Sequence, residues 1–127
     1  MIAWQEKLWG RCRHLYADDR VQLDEIAGAQ GGASSLHLHA GKHNTFLVTR
    51  GVLDVFTTFS VPPDGEIEAI ERRLTTGDTL TIKAGRKHRM VFVTYAEGYE
   101  LYTAAGPTPL DPADIVRFDE GRAGATP

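Results

Sequence analysis

Short β-type segments separated by turn residues run through most of the chain. The clearest are SLHLH (35–39), TFLVT (45–49), VLDVFTTFSV (52–61), TLTI (79–82), MVFVTY (90–95) and YELYTA (99–104). The charged segment EIEAIERRL (66–74) lies between strands, and we interpret it as a hairpin partner rather than a helix. Strands at this spacing, with no helices of 10–15 residues between them, indicate an antiparallel sandwich or barrel. The sequence therefore predicts one all-β domain spanning residues 1–127.

The two ends of the chain are harder to assign. The first 25 residues or so predict an edge strand or an N-terminal arm, with Trp4 and Trp9 packed against the barrel. Near the other end, DPADIV (111–116) has the composition of a short helical turn. We expect residues 121–127 to be disordered, as chain ends often are.

Composition narrows the function classes. The chain has 127 residues, a net charge of −3 and scattered basic residues, which argues against a role in binding nucleic acid or a polybasic role at a membrane. Cys12 is the only cysteine, so an intrachain disulfide is excluded. No segment approaches the roughly 20 apolar residues of a membrane span, and the N-terminus lacks the apolar run of a signal peptide. A cytoplasmic location is the default expectation.

Histidines are concentrated in the segment HLHAGKH (37–43), which holds three of the five in the chain. In a strand, residues two apart lie on one face with Cα atoms about 6.6 Å apart, so His37 and His39 can converge on one ion. Leu36 and Leu38 then lie on the opposite face. The alternative is that both histidines face solvent. If the strand is a barrel wall, they instead line the interior.

A fourth histidine, His88, follows a strand and a glycine turn in GDTLTIKAGRKH (77–88). It lies among Arg86, Lys87 and Arg89. Three neighbouring cations favour the neutral imidazole, which is the form that binds metals. This is compatible with a metal site without requiring one.

The two histidine segments together resemble the two motifs of the cupin superfamily. The first motif is glycine, five residues, His-x-His, three or four residues, glutamate, six residues and glycine; the chain has this spacing from Gly31 to Gly51 but carries Asn44 where the family has glutamate. The second motif is matched in spacing from Gly77 to Phe92, with Lys83 in place of proline and Phe92 in place of asparagine. The resemblance implies a cupin fold, the double-stranded β-helix or jelly-roll barrel.

Carried over residue by residue, the resemblance implies one divalent metal ion per subunit, held by His37, His39 and His88 with Asn44 at the carboxylate position. Zinc, iron, manganese and nickel are the candidate metals. Because an amide oxygen is a weaker ligand than a carboxylate, we expect weaker metal binding than in a site with glutamate. His43 is the least favoured ligand candidate, since alternation points it away from Asn44 and towards the solvent-facing rim.

Alternation also suggests which side chains line the interior. Phe46 shares a face with Asn44, and Phe92 shares a face with His88, so both are candidates for an apolar wall that contacts a substrate. Arg86 and Lys87 are candidate partners for an anionic substrate, although charged residues of this kind more often form a solvated rim. The sequence does not distinguish Tyr95, Tyr99 or Tyr102 as a proton-transfer group, and His14 is expected at the surface.

The flanking segments EKLWG (6–10) and PADIVRFDEGR (112–122) are similar to those of the C-terminal cupin domain of type II mannose-6-phosphate isomerases. This resemblance implies a small-molecule site of the sugar-phosphate isomerase type, with no identified base. Two alternatives remain open: an iron dioxygenase with three histidine ligands, and a non-catalytic module that binds a small molecule. Many cupins pair through exposed sheet edges, so a homodimer is expected.

Overall fold

The computed structural model describes residues 2–125, and these form two antiparallel sheets packed face to face. The strands are β1 Gln5–Lys7, β2 Gly10–Ala17, β3 Val21–Gly28, β4 His37–Leu38, β5 Lys42–Arg50, β6 Leu53–Val61, β7 Gly65–Leu74, β8 Thr79–Ile82, β9 His88–Phe92, β10 Ala96–Ala104 and β11 Val116–Arg117. One sheet has the order β1-β2-β3-β10-β5-β8, and the other has the order β11-β4-β9-β6-β7. The predicted all-β antiparallel fold is confirmed.

The core lies between the sheets and follows the alternation seen in the sequence. Along β5, Asn44, Phe46 and Val48 are buried, while the residues between them are partly exposed. Along β9, His88, Met90 and Phe92 are buried in the same way. Each strand therefore contributes apolar side chains and polar side chains to one interior face. The polar ones gather at one end of the core.

The segment 66–74 forms most of β7, and this strand pairs along its length with β6. Its prediction as a hairpin partner is confirmed. The poor fit of EIEAIERRL to a period of two has a local cause, because the ladder shifts register between Val55 and Phe56. Such a bulge changes which side chains face inward on either side of it.

Of the two alternatives for the first 25 residues, the structure agrees with an edge strand and not with an N-terminal arm. β1 and β2 form a hairpin at the edge of the six-stranded sheet, and β3 lies inside that sheet between β2 and β10. Trp9 does pack against the core, where its ring stacks on Phe92 at a centroid distance of 5.7 Å. Trp4 instead lies against Arg11 and Arg13.

The C-terminal segment is also more ordered than expected. The backbone of Arg122 exchanges two hydrogen bonds with Ala33, and the N–H of Ala125 donates to Gln30. Disorder is therefore the wrong prediction for 121–125, whereas residues 126 and 127 lie outside the described residues. The expected helical turn at DPADIV is a non-helical turn followed by β11. Within residues 2–125, no helix has the length and apolar character needed to cross a membrane.

Candidate metal centre

Strand pairing brings the distant histidine to the other two. β4 and β9 are neighbours in the five-stranded sheet, and His37 is directly opposite His88 in their register. His39 follows the end of β4 and stays on the same side. The rings of His37 and His88 are 4.5 Å apart, and those of His37 and His39 are 4.9 Å apart. The predicted meeting of these three side chains is confirmed.

All three histidines are oriented by backbone carbonyl groups. Nδ1 of His37 donates to the carbonyl oxygen of Ser35 at 2.7 Å. Nδ1 of His39 donates in the same way to Asp114 at 2.7 Å, and Nδ1 of His88 donates to Arg86 at 2.9 Å. A carbonyl oxygen only accepts, so each Nδ1 carries the proton and each Nε2 carries the lone pair. Hydrogen bonding of the second ring nitrogen is the usual support of a metal-binding histidine.

The electrostatics keep these imidazoles neutral. Burial lowers the pKa of His37 to about 3, helped by the proximity of His88. Burial lowers the pKa of His88 to about 4 and also depresses the pKa of His39. At neutral pH all three rings can therefore offer a lone pair to a cation.

Two buried polar atoms at this place have no hydrogen-bond partner in the described part of the chain, namely Nε2 of His39 and Oδ1 of Asn44. Leaving such an atom unpaired is costly, and Nε2 of His39, which belongs to the group of three histidines, therefore indicates a missing partner there. One candidate ligand atom from each histidine lies within 4.8 Å of the others. Three neutral imidazoles of this kind suit zinc, iron or nickel. The residues present therefore fit a divalent metal ion.

His88 lies behind His37 and His39, which line a cavity of about 380 Å³ between the sheets. Its wall combines the metal-site face with apolar side chains, including Trp9, Phe46 and Met90. Phe46 is thus on the cavity wall, as expected. Phe92 is not among the lining residues; its ring stacks on Trp9, and Trp9 faces the cavity in its place.

The cations predicted at the cavity belong elsewhere. Arg86 is paired with Glu71 at 3.0 Å and also donates to Thr57, while Lys87 is paired with Glu66 at 3.0 Å. Neither is among the residues that line the cavity. The cations on the cavity wall are Lys7, Lys42 and Arg117. The sequence alone could not show that Arg86 and Lys87 are paired away from the cavity, because their carboxylate partners lie on β7, a strand away.

His43 lies outside the group of three histidines. Its Nδ1 accepts a hydrogen bond from the backbone N–H of Ala84 at 2.9 Å. This contact ties the start of β5 to the turn that precedes His88.

His14 lies at the cavity, where its half-exposed ring contacts the buried carboxylate of Asp24 at 2.6 Å.

Glu100 is the principal site residue that the sequence analysis did not find. It is buried on β10, and its Oε2 accepts hydrogen bonds from the Tyr102 hydroxyl at 2.6 Å and from Asn44 Nδ2 at 3.0 Å. Burial raises the pKa of Glu100, and burial next to that carboxyl group raises the pKa of Tyr102 well above its usual value. Alternation in YELYTA places both on one face, but only the pairing of β10 with β5 brings them to Asn44.

Several known structures share this fold. A cupin described as RmlC-like from Shewanella frigidimarina has a TM-score of 0.65 at 18% identity, and the match covers 84% of this chain and 86% of that one. The chain has the cupin fold. KdgF from Halomonas sp. also has a TM-score of 0.65, at 15% identity and with coverage of 83% and 88%.

Oxalate decarboxylase from Bacillus subtilis has a TM-score of 0.70 at 11% identity. That match covers 92% of this chain but only 30% of the larger enzyme, so the chain corresponds to one part of it. The sequence matches no family model and no curated protein. At these identities the likeness concerns the fold, and function has to be argued from the site.

Proposed function

We propose that the protein binds one divalent metal ion per chain through His37, His39 and His88, and that it acts on a small polar molecule in the adjoining cavity. The observation that carries this proposal is the set of three neutral imidazoles with Nδ1 atoms held by carbonyl groups. The unpaired Nε2 atom of His39 supports it.

Elemental analysis of the purified protein tests the metal proposal. We expect about one equivalent of zinc, iron, manganese or nickel per chain, or its uptake on titration of the metal-free protein. A chain that contains no metal and takes up none of these four would favour the alternative of a non-catalytic binding module. Metal identity would also direct the choice of assays, since iron favours oxygen chemistry.

The reaction we favour is aldose–ketose isomerisation of a sugar or sugar phosphate. A bound divalent ion supplies Lewis-acid polarisation of carbonyl and hydroxyl oxygens. Isomerisation also needs a group that moves a proton between neighbouring carbons. The hydrogen-bonded pair of Glu100 and Tyr102 lines the cavity and can hold that proton. Lys42 and Arg117 are the candidate partners for an anionic substrate group.

An isomerase assay with mannose 6-phosphate and related aldose phosphates tests this reaction. We expect Glu100→Gln to lower kcat by about 100-fold, within the usual contribution of a general acid–base group. The variant should leave metal content unchanged. Wild-type kcat in Glu100→Gln would mean that another group moves the proton.

One observation favours a second reaction. The ligand set consists of three histidines without a carboxylate, which resembles the arrangement of cupin-type thiol dioxygenases. This alternative predicts oxygen consumption by the iron-loaded protein with a thiol or diketone substrate. Oxygen uptake that depends on His88 would favour it over isomerisation.

A further inference from the structure

The side chain of Asn44 lies between His88, one of the three histidines, and Glu100. Its Nδ2 is 3.0 Å from Oε2 of Glu100 and 3.3 Å from Nε2 of His88. Because Nδ1 of His88 donates to a carbonyl group, Nε2 must be the acceptor here. Both N–H groups of the amide are therefore in use, and Oδ1 is left without a partner among the described residues.

Glu100 determines which way this amide faces. Oε2 of Glu100 acts as an acceptor, since it already accepts a hydrogen bond from the Tyr102 hydroxyl. Rotating the amide by half a turn would bring Oδ1 against Oε2 and oppose two acceptors in a buried site. The amide is thus held with its NH₂ group towards the histidines.

We infer that Asn44 serves as a hydrogen-bond donor beside the metal site, held there by Glu100, and that the coordination position it leaves open takes an anionic oxygen of a small ligand. This inference rests on the proposed metal site and identifies its ligand class. The nitrogen of an amide has no lone pair free for a metal, so this orientation excludes Asn44 as a ligand. A carboxylate or enolate is the class of group that suits the open position.

The same geometry explains how an anion would be recognised. The lone pair of His88 Nε2 cannot serve both an ion and an N–H donor. Metal binding therefore releases one N–H of Asn44, which becomes free to donate to an oxygen bound beside it. Lys42 adds positive charge: it is buried, it lines the cavity, and among the described residues Nζ donates only to the carbonyl of Asp111, at 3.3 Å.

Cobalt(II) titration of the full-length protein, followed by calorimetry and visible absorption, tests the role of Asn44, with acetate as the anion probe. We expect Asn44→Leu to change cobalt affinity by less than about threefold and to weaken acetate binding by about tenfold, since it removes one hydrogen bond to a charged group. A loss of cobalt affinity greater than about tenfold would make Asn44 a metal ligand and overturn the inference.

Two substitutions at Glu100 provide a matched pair. In Glu100→Ala the amide is free to rotate and present Oδ1 as an additional ligand, so cobalt should bind more tightly than in the wild type while acetate binds more weakly. Glu100→Gln keeps an acceptor for Asn44 and should match the wild type in both affinities. If Glu100→Ala binds cobalt and acetate with the same affinities as the wild type, the role assigned to Glu100 is wrong.

A measurement without metal separates this inference from the proposed function. In the metal-free protein, the side-chain NH₂ protons of Asn44 should exchange slowly with solvent in the wild type and in Glu100→Gln, and rapidly in Glu100→Ala, as followed by nuclear magnetic resonance. Equal exchange rates in the wild type and both variants would mean that Glu100 does not fix the orientation of the Asn44 amide. Failure of the wild type to bind cobalt would instead refute the metal proposal and, with it, the assignment of the ligand class.

Discussion

At the scale of single residues, the site depends on which nitrogen of each imidazole faces the others. The carbonyl oxygens of Ser35, Asp114 and Arg86 hold the Nδ1 protons, and the lone pairs of Nε2 are left for a cation. Backbone carbonyls are fixed by the sheet and its turns, so the orientation of each ring follows from the fold. The three rings are therefore arranged for metal binding before any metal arrives.

Replacement of His88 by glutamine is the most direct test of this arrangement. The glutamine side chain lacks the imidazole lone pair, and we expect metal affinity to fall at least about tenfold, in line with the cost of disturbing a metal shell. Affinity is measured by competition with a chromogenic chelator. His43→Gln is the matched control, since His43 lies outside the group of three and bonds to Ala84. Equal losses in both variants would contradict the assignment.

The sequence predicted residues of the site where spacing alone determines position. His37 and His39 share a face because they are two apart in a strand, and the second motif supplied His88 at a matching offset. Glu100 and Tyr102 could not be found in this way. They meet Asn44 through the register of β10 against β5, and register is set by packing over the whole sheet.

At the scale of elements, the C-terminal segment supports the histidine-bearing loop between β4 and β5. The carboxylate of Asp114 accepts hydrogen bonds from the backbone N–H groups of Ala40 at 2.8 Å and Gly41 at 2.9 Å. The backbone carbonyl of the same residue holds Nδ1 of His39. One residue near the end of the chain thus orients a ligand and the loop that follows it.

Asp114→Ala should therefore weaken metal binding although Asp114 does not itself join the group of histidines. We expect a loss of about tenfold, at the lower end of what the hydrogen-bonding partners of metal ligands contribute. The control is Asp111→Ala, whose carboxylate bonds to the nearby N–H of Ala113 and not to the loop. Calorimetric titration with zinc measures both. A larger loss in the control would mean that the whole segment, and not this contact, supports the site.

Prediction of the elements succeeded where β-branched and apolar residues lie between clear turn residues, and failed where a strand has no clear apolar face. TLTI was predicted at 79–82, and β8 has the same bounds. The first 25 residues were undervalued because β1 and β2 are mostly exposed and therefore lack a clear apolar face. β3 carries buried Asp24 among its apolar residues, and that polar position belongs to the cavity.

At the scale of the whole molecule, the outer face of the six-stranded sheet carries a second, apolar depression. Its lining residues are Leu23, Thr45, Leu47, Thr79, Tyr99 and Leu101. These alternate along their strands with the residues that face the core. An apolar sheet face of this kind is a candidate interface, and we propose that it pairs two copies of the chain.

Light scattering coupled to size exclusion tests the proposed homodimer. The expected mass is twice the 14.0 kDa of one chain. Leu47→Glu places a charge in the centre of the apolar face and should yield monomers. Ile67→Glu is the control, because Ile67 is exposed on β7 of the other sheet. A wild type that remains monomeric at high concentration would refute the pairing. If both variants are monomers, this apolar face is not what holds the dimer together.

The stability of the metal-free protein should depend on the buried histidines as the pH falls. Folding lowers the pKa of His37 to about 3 and that of His88 to about 4, from 6.5 in each case. Below pH 6.5 the unfolded chain therefore binds protons that the folded chain does not, and the stability present above that pH is lost as the pH falls towards 4. Each histidine contributes at most about 1.4 kcal/mol per pH unit in this window.

Glu100 has the opposite effect on the free energy of unfolding. Because its pKa is raised, the folded chain binds a proton at Glu100 at a higher pH than the unfolded chain does, and this favours folding as the pH falls. The test must therefore isolate the histidines. Urea unfolding of chelator-treated protein between about pH 7 and pH 4.5 gives the slope of the free energy of unfolding against pH. In His88→Gln that slope should be shallower by up to about 1.4 kcal/mol per pH unit, because one of the three histidines with a lowered pKa is gone. An unchanged slope would mean that His88 titrates in the folded chain as it does in the unfolded chain, and that the site does not hold its ring neutral.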